Sequence, residues 1–241
     1  MLWFTRISLK LNNFLDWQKK VAHAKQRMHT ATHVNTTFGE REMAQARVLT
    51  ERELRRVLNF CNTQPHSARN RTMLLCTHLA GMRCKEVAAL RICDVLATDG
   101  TIRDEIALAA AQTKGNKSRT VLLPRKLRDE LQHYLQARFG LSNLAAVAMT
   151  DTQRALFPTQ KNPKRGFTAN TLCQLFHKLY KDAQMDGATS HSGRRTFITK
   201  LADKGVGVRV LMALAGHKSI ATTQRYIELN PTVMKAAVEL I

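Results

Sequence analysis

A short strand-like stretch, with helical periodicity on both sides of it, is the feature that most constrains the fold of this chain. The segments TIRDEIALAAAQ and SRTVLLP enclose TKGNK, whose Gly115-Asn116 pair is typical of a turn. This pattern predicts a two- or three-stranded antiparallel unit. Because the rest of the sequence is largely helical in character, we expect an α+β fold that is mainly helical and carries a small antiparallel sheet or hairpin.

Helical patterns occupy most of the remaining sequence. Thr50 and Glu53 have the spacing of a capping box, and apolar residues from Leu54 to Cys61 follow at helical spacing. The stretch 140–166 is looser, and a tail begins at Pro231. Further helices are predicted in RTMLLCTHLAG, in MRCKEVAALRICDV, in RKLRDELQHYLQARF, and over residues 168–184, 191–203, 206–214 and 219–228.

Charge is the strongest global signal. The chain has 38 Lys and Arg against 18 Asp and Glu, a formal net charge of +20. An excess of this size favours a polyanionic partner, and the spread of basic residues through helical and strand segments favours nucleic acid over a membrane surface. A hydrophobic content of 44% allows a buried core. No stretch approaches the ~20 apolar residues of a membrane span, and the amino-terminal sequence is not typical of a secretion signal.

The cysteines and histidines give little sign of disulfides or metal. Five cysteines without a CxxC pair are interpreted as reduced thiols of a cytoplasmic protein. His29 and His33 have the i,i+4 spacing of a helical metal pair, but no carboxylate or thiolate lies near them in sequence. The segment 1–47, polar and basic, is better interpreted as a solvated helix or an arm along a phosphate backbone. We expect no cofactor and no metal.

A few basic and aromatic residues have the chemistry to act on a phosphodiester. Arg83 follows a glycine at a helix start, and His191 and Arg194 are three apart at the start of another helix. Lys114 lies in the hairpin turn, and His217 lies in GHK. Taken singly, each is equally typical of an ordinary surface or packing residue.

Their order and spacing carry more information. GMRCKEVAALRICDV, TKGNKSR, HSGRRTF and LAGHKSIATTQRY together resemble the tyrosine recombinase (phage integrase) family, over residues 48–241. Its Arg-x-x-Glu-x-x-x-Leu pattern is matched by Arg83, Glu86 and Leu90. The remaining family positions are matched by the β-turn lysine Lys114, the His191 and Arg194 pair, His217, and Tyr226 nine residues after it.

The resemblance implies a catalytic role for each matched residue. Tyr226 is the nucleophile, and because a phenol is largely protonated near neutral pH it needs cations and a proton acceptor nearby. Arg83 and Arg194 bind the non-bridging oxygens of the scissile phosphate.

The other matched residues handle protons or support these groups. His191 is the general base or proton relay, and His217 donates a hydrogen bond to the phosphate. Lys114 protonates the leaving 5′-oxygen, with Lys117 as the fallback, and Glu86 supports an arginine. Tyr134 and Tyr180, within amphipathic helices, are interpreted as packing residues.

The sequence also departs from the family pattern. Only about 47 residues precede the matched region, where the family usually has a helical core-binding domain of roughly a hundred residues. We therefore expect residues 1–47 to be a basic arm or the remnant of such a domain, and residues 48–241 to be the catalytic domain. This arrangement is similar to that of short, Xer-like and fimbrial-switch recombinases. Gly193 stands where leucine is common.

The implied partner is double-stranded DNA in the cytoplasm, at the nucleoid. The resemblance implies a homo-tetramer on two DNA sites, with the tail 231–241 docked on a neighbouring protomer, and no membrane. Three alternatives remain at this stage. Residues 191–228 also fit a loose helix-turn-helix regulator without catalysis. A type IB topoisomerase shares the tyrosine chemistry, and a basic charge alone is also typical of an RNA-coating protein.

Overall fold

Helices flank one small sheet in the computed structural model, which describes residues 46–113, 116–150, 152–163, 165–227 and 238–239. The mainly helical α+β prediction is confirmed. In chain order the elements are α1 (Glu51–Asn62), α2 (Ser67–Ala80), α3 (Cys84–Ala88), α4 (Ile92–Val95), β1 (Glu105–Leu108), a 3₁₀ turn (Ala110–Gln112), β2 (Arg119–Leu122), α5 (Arg125–Phe139), α6 (Ala145–Thr150), α7 (Ala169–Asp182), α8 (Ser192–Asp203), α9 (Val208–Ala215) and α10 (Ile220–Gln224).

The sheet is an antiparallel pair in which Glu105 lies opposite Leu122 and Leu108 opposite Arg119. Side chains alternate along it, so Ile106, Leu108 and Val121 enter the core. Within the described residues the sheet has two strands, the smaller of the two predicted sizes. Lys114 and Gly115, in the connection between the strands, lie outside the described residues.

Helix α1 begins at the predicted capping box. The Thr50 hydroxyl accepts from the backbone N–H of Glu53 at 3.3 Å, and the Glu53 carboxylate accepts from the backbone N–H of Thr50 at 2.9 Å. Reciprocal bonds of this kind supply partners for amide groups that a helix start leaves unpaired. The inward face of α1, with Val57, Leu58 and Cys61, then packs into the core.

Helix α2 is the centre of the domain and packs mainly against α8 and α5. It is buried along most of its length. Its crossing with α8 is tight, because a Cβ added at Gly193 would lie 2.0 Å from the Thr77 Oγ1 and 2.8 Å from the Thr77 Cβ. A glycine at this position therefore lets the start of α8 approach the end of α2, next to Gly81.

Three predicted element boundaries are wrong. MRCKEVAALRICDV forms two short helices rather than one, because Arg91 pairs with Ala155 in an isolated β-bridge between α3 and α4. Helix α6 lies in the stretch predicted to be loose. The last helix ends at Gln224, not at 228, since the amides of Tyr226 and Ile227 bond to carbonyls three residues earlier.

All five cysteines are free thiols in the structure, and Cys61, Cys76 and Cys84 are buried. Among the described residues, no helix is long and apolar enough to cross a membrane. The segment up to residue 45, with His29 and His33, lies outside the described residues, as does the tail from Pro231 apart from Val238 and Glu239. The predictions made for those segments remain predictions.

Candidate active site

Arg83 is the N-cap residue of α3, and Glu86 in the first turn of that helix holds its side chain. The Arg83 Nη1 donates to the Glu86 Oε1 at 3.0 Å, and the Arg83 backbone N–H donates to the Glu86 Oε2 at 2.8 Å. The Arg83 Nη2 also donates to the carbonyl of Gly216 at 3.2 Å. Arg83 therefore links the start of α3 to the residues that follow α9.

Glu86 is fully buried and receives a second guanidinium from Arg119 on β2. The Arg119 Nε lies 3.1 Å from the Glu86 Oε1, and its Nη2 lies 2.7 Å from the Oε2. Burial is the largest single influence and opposes the charged carboxylate, but the hydrogen bonds and charges of Arg119 and Arg83 together hold the pKa of Glu86 below its usual value. Glu86 is thus a carboxylate between two arginines.

Arg119 was missed by the sequence analysis, which interpreted SRTVLLP only as a strand. Its Nη1 donates to the carbonyl of Leu214 at 3.0 Å. Its side chain lies against Gly216, where an added Cβ would be 2.6 Å from the Arg119 Cδ. This arginine connects the sheet, the Arg83 helix and the end of α9. Short of a family alignment, the only available signal was a basic residue on the strand after the turn.

Arg194 lies in the first turn of α8 and is 4% exposed. Its Nη1 donates to the carbonyl of Gly81 at 2.6 Å, and its Nη2 donates to the carbonyl of Ala215 at 2.5 Å. Burial, followed by the charge of Arg83, lowers the pKa of Arg194 to about 9, so the group still carries its charge at neutral pH. Two arginines far apart in sequence thus meet at residues 215 and 216.

His217 follows a left-handed turn at the end of α9. Gly216 has φ +62°, a conformation that glycine adopts without the cost of a side chain, and the His217 amide bonds back to the carbonyl of Met212 at 3.0 Å. The His217 Nδ1 lies 2.9 Å from the Thr223 Oγ1. Burial, and then the nearby guanidinium groups, lower the pKa of His217 to about 4. The imidazole is therefore neutral near pH 7.

Tyr226 stacks on His217. The two ring centroids are 5.6 Å apart and the ring planes differ by 21°. The guanidinium of Arg195 also lies over the Tyr226 ring, with its Cζ 5.9 Å from the ring centroid. The tyrosine is half-buried. Its ring is thus next to the imidazole and to a cation, as the predicted nucleophile requires.

A cleft of about 520 Å³ opens beside these groups. None of the described residues that line it is acidic, and four carry a Lys or Arg side chain, so it is suited to an anion. Arg194 and Tyr226 lie beside the cleft without lining it. The lining residues are Arg83, Thr113, Lys117, Ser118, Arg119, Gly216, His217, Lys218 and Thr222.

A comparison with known protein families shows which family this chain matches. The phage integrase family model matches residues 47–232. The chain belongs to the phage integrase family. The two arginines, His217 and Tyr226 that the geometry brings together all lie within the part of this integrase-family chain that the family model matches.

Curated relatives and solved structures agree with that membership. The chain is 29% identical over 221 residues to tyrosine recombinase XerC of Proteus mirabilis, covering 91% of this chain and 66% of the relative. It is 27% identical over 192 residues to XerA of Pyrococcus furiosus, covering 79% and 60%. A crystal structure of XerA recombinase superposes with a TM-score of 0.61 at 25% identity, covering 80% of this chain and 64% of that one. The integrase-family chain thus spans about 60–66% of the length of these relatives.

Of the residues matched to the family pattern, His191 does not line the cleft and Lys114 is not among the described residues. His191 is exposed at the N-cap of α8, and its backbone amide donates to the Thr189 Oγ1 at 3.3 Å. It lies one turn before Arg194 but does not line the cleft. Lys114 lies outside the described residues. The fallback, Lys117, is exposed and lines the cleft, where its carbonyl accepts from the Thr113 Oγ1 at 2.6 Å.

The other tyrosines of this integrase-family chain belong to the core, as predicted. The Tyr134 hydroxyl donates to the carbonyl of Leu156 at 2.7 Å. The Tyr180 hydroxyl lies 3.0 Å from the Nε2 of His78, and burial raises the pKa of Tyr180. Both are almost fully buried, so neither reaches a DNA strand. Among the described residues, no group of three or more His, Cys, Asp or Glu side chains is placed to hold a metal ion.

Proposed function

We propose that this chain is a site-specific DNA recombinase that cuts and rejoins strands through a 3′-phosphotyrosyl intermediate on Tyr226. One observation carries the proposal: Tyr226 stacks on His217, which sits where Arg83 and Arg194 converge on residues 215 and 216. The family membership and the named recombinase relatives support the same reaction.

In the proposed reaction the Tyr226 oxygen attacks the scissile phosphorus. A bond forms between the phenolic oxygen and phosphorus, and the bond to the 5′-oxygen of the next nucleotide breaks. The proton of the phenol passes to His191, and the departing 5′-oxygen takes a proton from Lys114, or from Lys117 in its place. The phosphotyrosyl ester keeps the bond energy of the broken phosphodiester. A 5′-hydroxyl of another strand can therefore reverse the step without an added energy source.

The cations would act on the phosphate. Arg83 and Arg194 are positioned by hydrogen bonds before any substrate arrives, and fixed donors of this kind stabilise charge that develops in a transition state. His217, neutral near pH 7, would donate a hydrogen bond to a non-bridging oxygen. The net charge of +20 supplies sequence-independent attraction to the DNA backbone.

Covalent capture of DNA tests the proposal. The chain is incubated with double-stranded DNA from its own genomic flanks, nicked so that the cleaved end diffuses away, and a denaturant-resistant adduct is measured. We expect an adduct on Tyr226 with the wild type and none with Tyr226→Phe, while both bind DNA equally. The matched control is Tyr134→Phe, which removes a hydroxyl from a core tyrosine and should leave capture intact.

The outcomes separate the proposed function from its competitors. A regulator would bind DNA and give no adduct with either protein, and an RNA-coating protein would prefer RNA. A type IB topoisomerase would form the adduct but relax supercoiled plasmid that lacks any special site. Each of these results would contradict the recombinase assignment.

We further propose that residues 1–47 are a basic arm that contacts DNA phosphates in the cytoplasm, at the nucleoid, and that residues 48–241 are the catalytic domain. The arm lies mostly outside the described residues, and its lack of acidic residues between Asp16 and Glu40 supports the proposal. Removing residues 1–45 should lower DNA affinity and flatten its dependence on salt concentration. Unchanged affinity would contradict it.

A homo-tetramer on two DNA sites is also proposed, with the tail 231–241 docked on a neighbouring protomer. The tail sequence PTVMKAAVELI has apolar residues at helical spacing, which supports a docking role. Sedimentation of the DNA complex should show four protomers, and removal of residues 232–241 should reduce that number. A monomeric complex with full activity would contradict the proposal.

A further inference from the structure

Thr223 connects His217 with Tyr226. It lies on α10 and is 0% exposed. Its Oγ1 is 2.9 Å from the His217 Nδ1, and its carbonyl accepts from the Tyr226 backbone N–H at 3.0 Å. In the sequence, Thr223 is marked only as part of a helical segment, and the proposed reaction does not use it.

The hydrogen bond between Thr223 and His217 has two possible proton arrangements. A threonine hydroxyl has one proton to donate, and a neutral imidazole carries its proton on one of its two nitrogens. In the first arrangement the hydroxyl donates to Nδ1, and the imidazole proton is on Nε2. In the second, Nδ1–H donates to the hydroxyl oxygen, and Nε2 keeps a lone pair.

The surroundings of the hydroxyl decide between the two. In the second arrangement the Thr223 proton needs another acceptor, and burial excludes bulk water from supplying it. Helical threonines commonly donate to the carbonyl four residues earlier, as Thr72 does to Ala68 at 2.7 Å. Across the part of the chain that the structure describes, however, the only polar atom in hydrogen-bond contact with the Thr223 hydroxyl is Nδ1. The first arrangement gives the buried hydroxyl proton an acceptor, which the second does not.

The charge on His217 does not change this conclusion. Its ring is surrounded by Arg83 and Arg194, by Arg119 of β2, and by Tyr226 on which it stacks. These positive charges, together with burial, disfavour a proton on both nitrogens. The imidazole is therefore in the neutral form in which the two tautomers differ in what they offer a ligand.

We propose that Thr223 is a positioning residue that holds His217 in the Nε2–H tautomer, so that the imidazole offers the scissile phosphate a donor. The opposite tautomer would direct a lone pair at an oxygen that is itself an acceptor, and the two would repel. This inference rests on the proposed function. It assigns to the hydroxyl of Thr223 an effect on the reaction that it exerts through His217.

Nitrogen NMR of the protein labelled at histidine reads the tautomer directly. The His217 signals are assigned from their loss in His217→Gln. We expect the wild type at pH 7 to carry its proton on Nε2, with Nδ1 accepting a hydrogen bond. Thr223→Ser, which keeps the hydroxyl, should give the same signals. Thr223→Val, which keeps the shape and removes the hydroxyl, should shift them toward a mixture of tautomers.

The rate of covalent capture at saturating nicked DNA gives the second readout. Removing an oxyanion-hole donor outright costs on the order of 100-fold or more. Since Thr223→Val leaves the ring in place, we expect a smaller loss, of about 10-fold. DNA affinity should remain within about 2-fold, because the lost interaction acts on the rate of the chemical step. A uniform loss of binding would instead raise the half-saturating DNA concentration. Thr223→Ser should recover most of the rate. The matched control is Thr150→Val, the same exchange in α6.

Three results would overturn the proposal: a wild type with its proton on Nδ1, a Thr223→Val protein with unchanged tautomer and rate, or a Thr223→Ser protein as slow as Thr223→Val. The wild-type spectrum tests the proton arrangement even where a variant fails to fold. Absence of any adduct with the wild type would contradict the proposed function instead, while the NMR comparison would still report whether Thr223 sets the His217 tautomer.

Discussion

The two sides of the candidate site are held in different ways. On one side, Arg83 and Arg119 both bond to a fully buried carboxylate, and each also bonds to a backbone carbonyl near the end of α9. On the other side, Tyr226 is held by a ring stack on His217, by the Arg195 guanidinium over its ring, and by two backbone hydrogen bonds, one of them 3.4 Å long. The side around Glu86 is fixed by a dense network of hydrogen bonds, and the side around Tyr226 is held by fewer contacts.

This difference has a physical logic. Donors that must stabilise a transition state act best when they need no rearrangement, which favours a dense network around Glu86. In the proposed reaction, Tyr226 becomes bonded to DNA and must later release it so that another strand can approach. A short helix and a few weak contacts allow that movement at little cost in free energy.

Removing the buried carboxylate should have the largest effect on this comparison. Glu86→Gln leaves the guanidinium groups of Arg83 and Arg119 without their negative partner, and breaking a buried ion pair in this way costs about 3–5 kcal/mol. Urea unfolding measures the loss. The control is Glu51→Gln, since Glu51 is 76% exposed in its pair with Lys200 and should change stability by less than ~1 kcal/mol. Equal effects at the two positions would show that the buried network contributes nothing special.

Crowding at the junction between the two sides should have the next largest effect. Gly216→Ala adds a Cβ at φ +62° and only 2.6 Å from the Arg119 Cδ. Backbone strain costs about 1–2 kcal/mol, and displacement of a fixed side chain adds about 1–3 kcal/mol. Gly205→Ala is the matched control, because it has φ +78° with no atom within 4 Å of an added Cβ, and should show the strain alone. The difference between the two variants in urea unfolding measures the crowding.

A pH titration should have the smallest effect and tests the side around Tyr226 and His217. The pKa of His217 is lowered to about 4 in the folded chain, whereas an unfolded histidine has a pKa of about 6.5. Between these values the unfolded chain binds the extra proton, so stability falls as pH decreases from about 6.5 to about 4. After discounting for the half-exposed ring, the His217 share is on the order of 1 kcal/mol.

The buried His78, whose pKa burial lowers to about 3, also makes the folded chain less stable as the pH falls through this range. The contribution of His217 is therefore read as the difference between the wild type and His217→Gln, measured by urea unfolding at several pH values. The variant should lose part of the pH dependence. Identical slopes in the two proteins would show that His217 titrates normally in the folded state.

The sequence predicts the site better where chemistry is tied to a motif than where it depends on packing. Arg83, Arg194, His217 and Tyr226 follow from ordered motifs, and the support that Glu86 gives an arginine follows from the family resemblance that those motifs carry. Arg119 and Thr223 do not, because their roles depend on which distant atoms they contact. A threonine in a helix and an arginine on a strand have no distinctive local pattern.

The same limit applies to the fold. Capping at Thr50 is local chemistry and is predicted correctly. The break between α3 and α4 depends on Arg91 pairing with Ala155, and the amide of Ile92 bonding to the carbonyl of Arg154, which are contacts across some sixty positions. Local periodicity continues a helix through that point, and tertiary hydrogen bonds end it.

The close crossing at Gly193 makes two positions depend on each other. A methyl group there would enter space that Thr77 already fills, so a larger residue has to displace Thr77 or shift the start of the helix whose Arg194 bonds to the Gly81 carbonyl. Replacing Gly193 with a larger residue is therefore expected to need a smaller residue at position 77. Positions 193 and 77 therefore form one packing unit that sets where the Arg194 guanidinium lies.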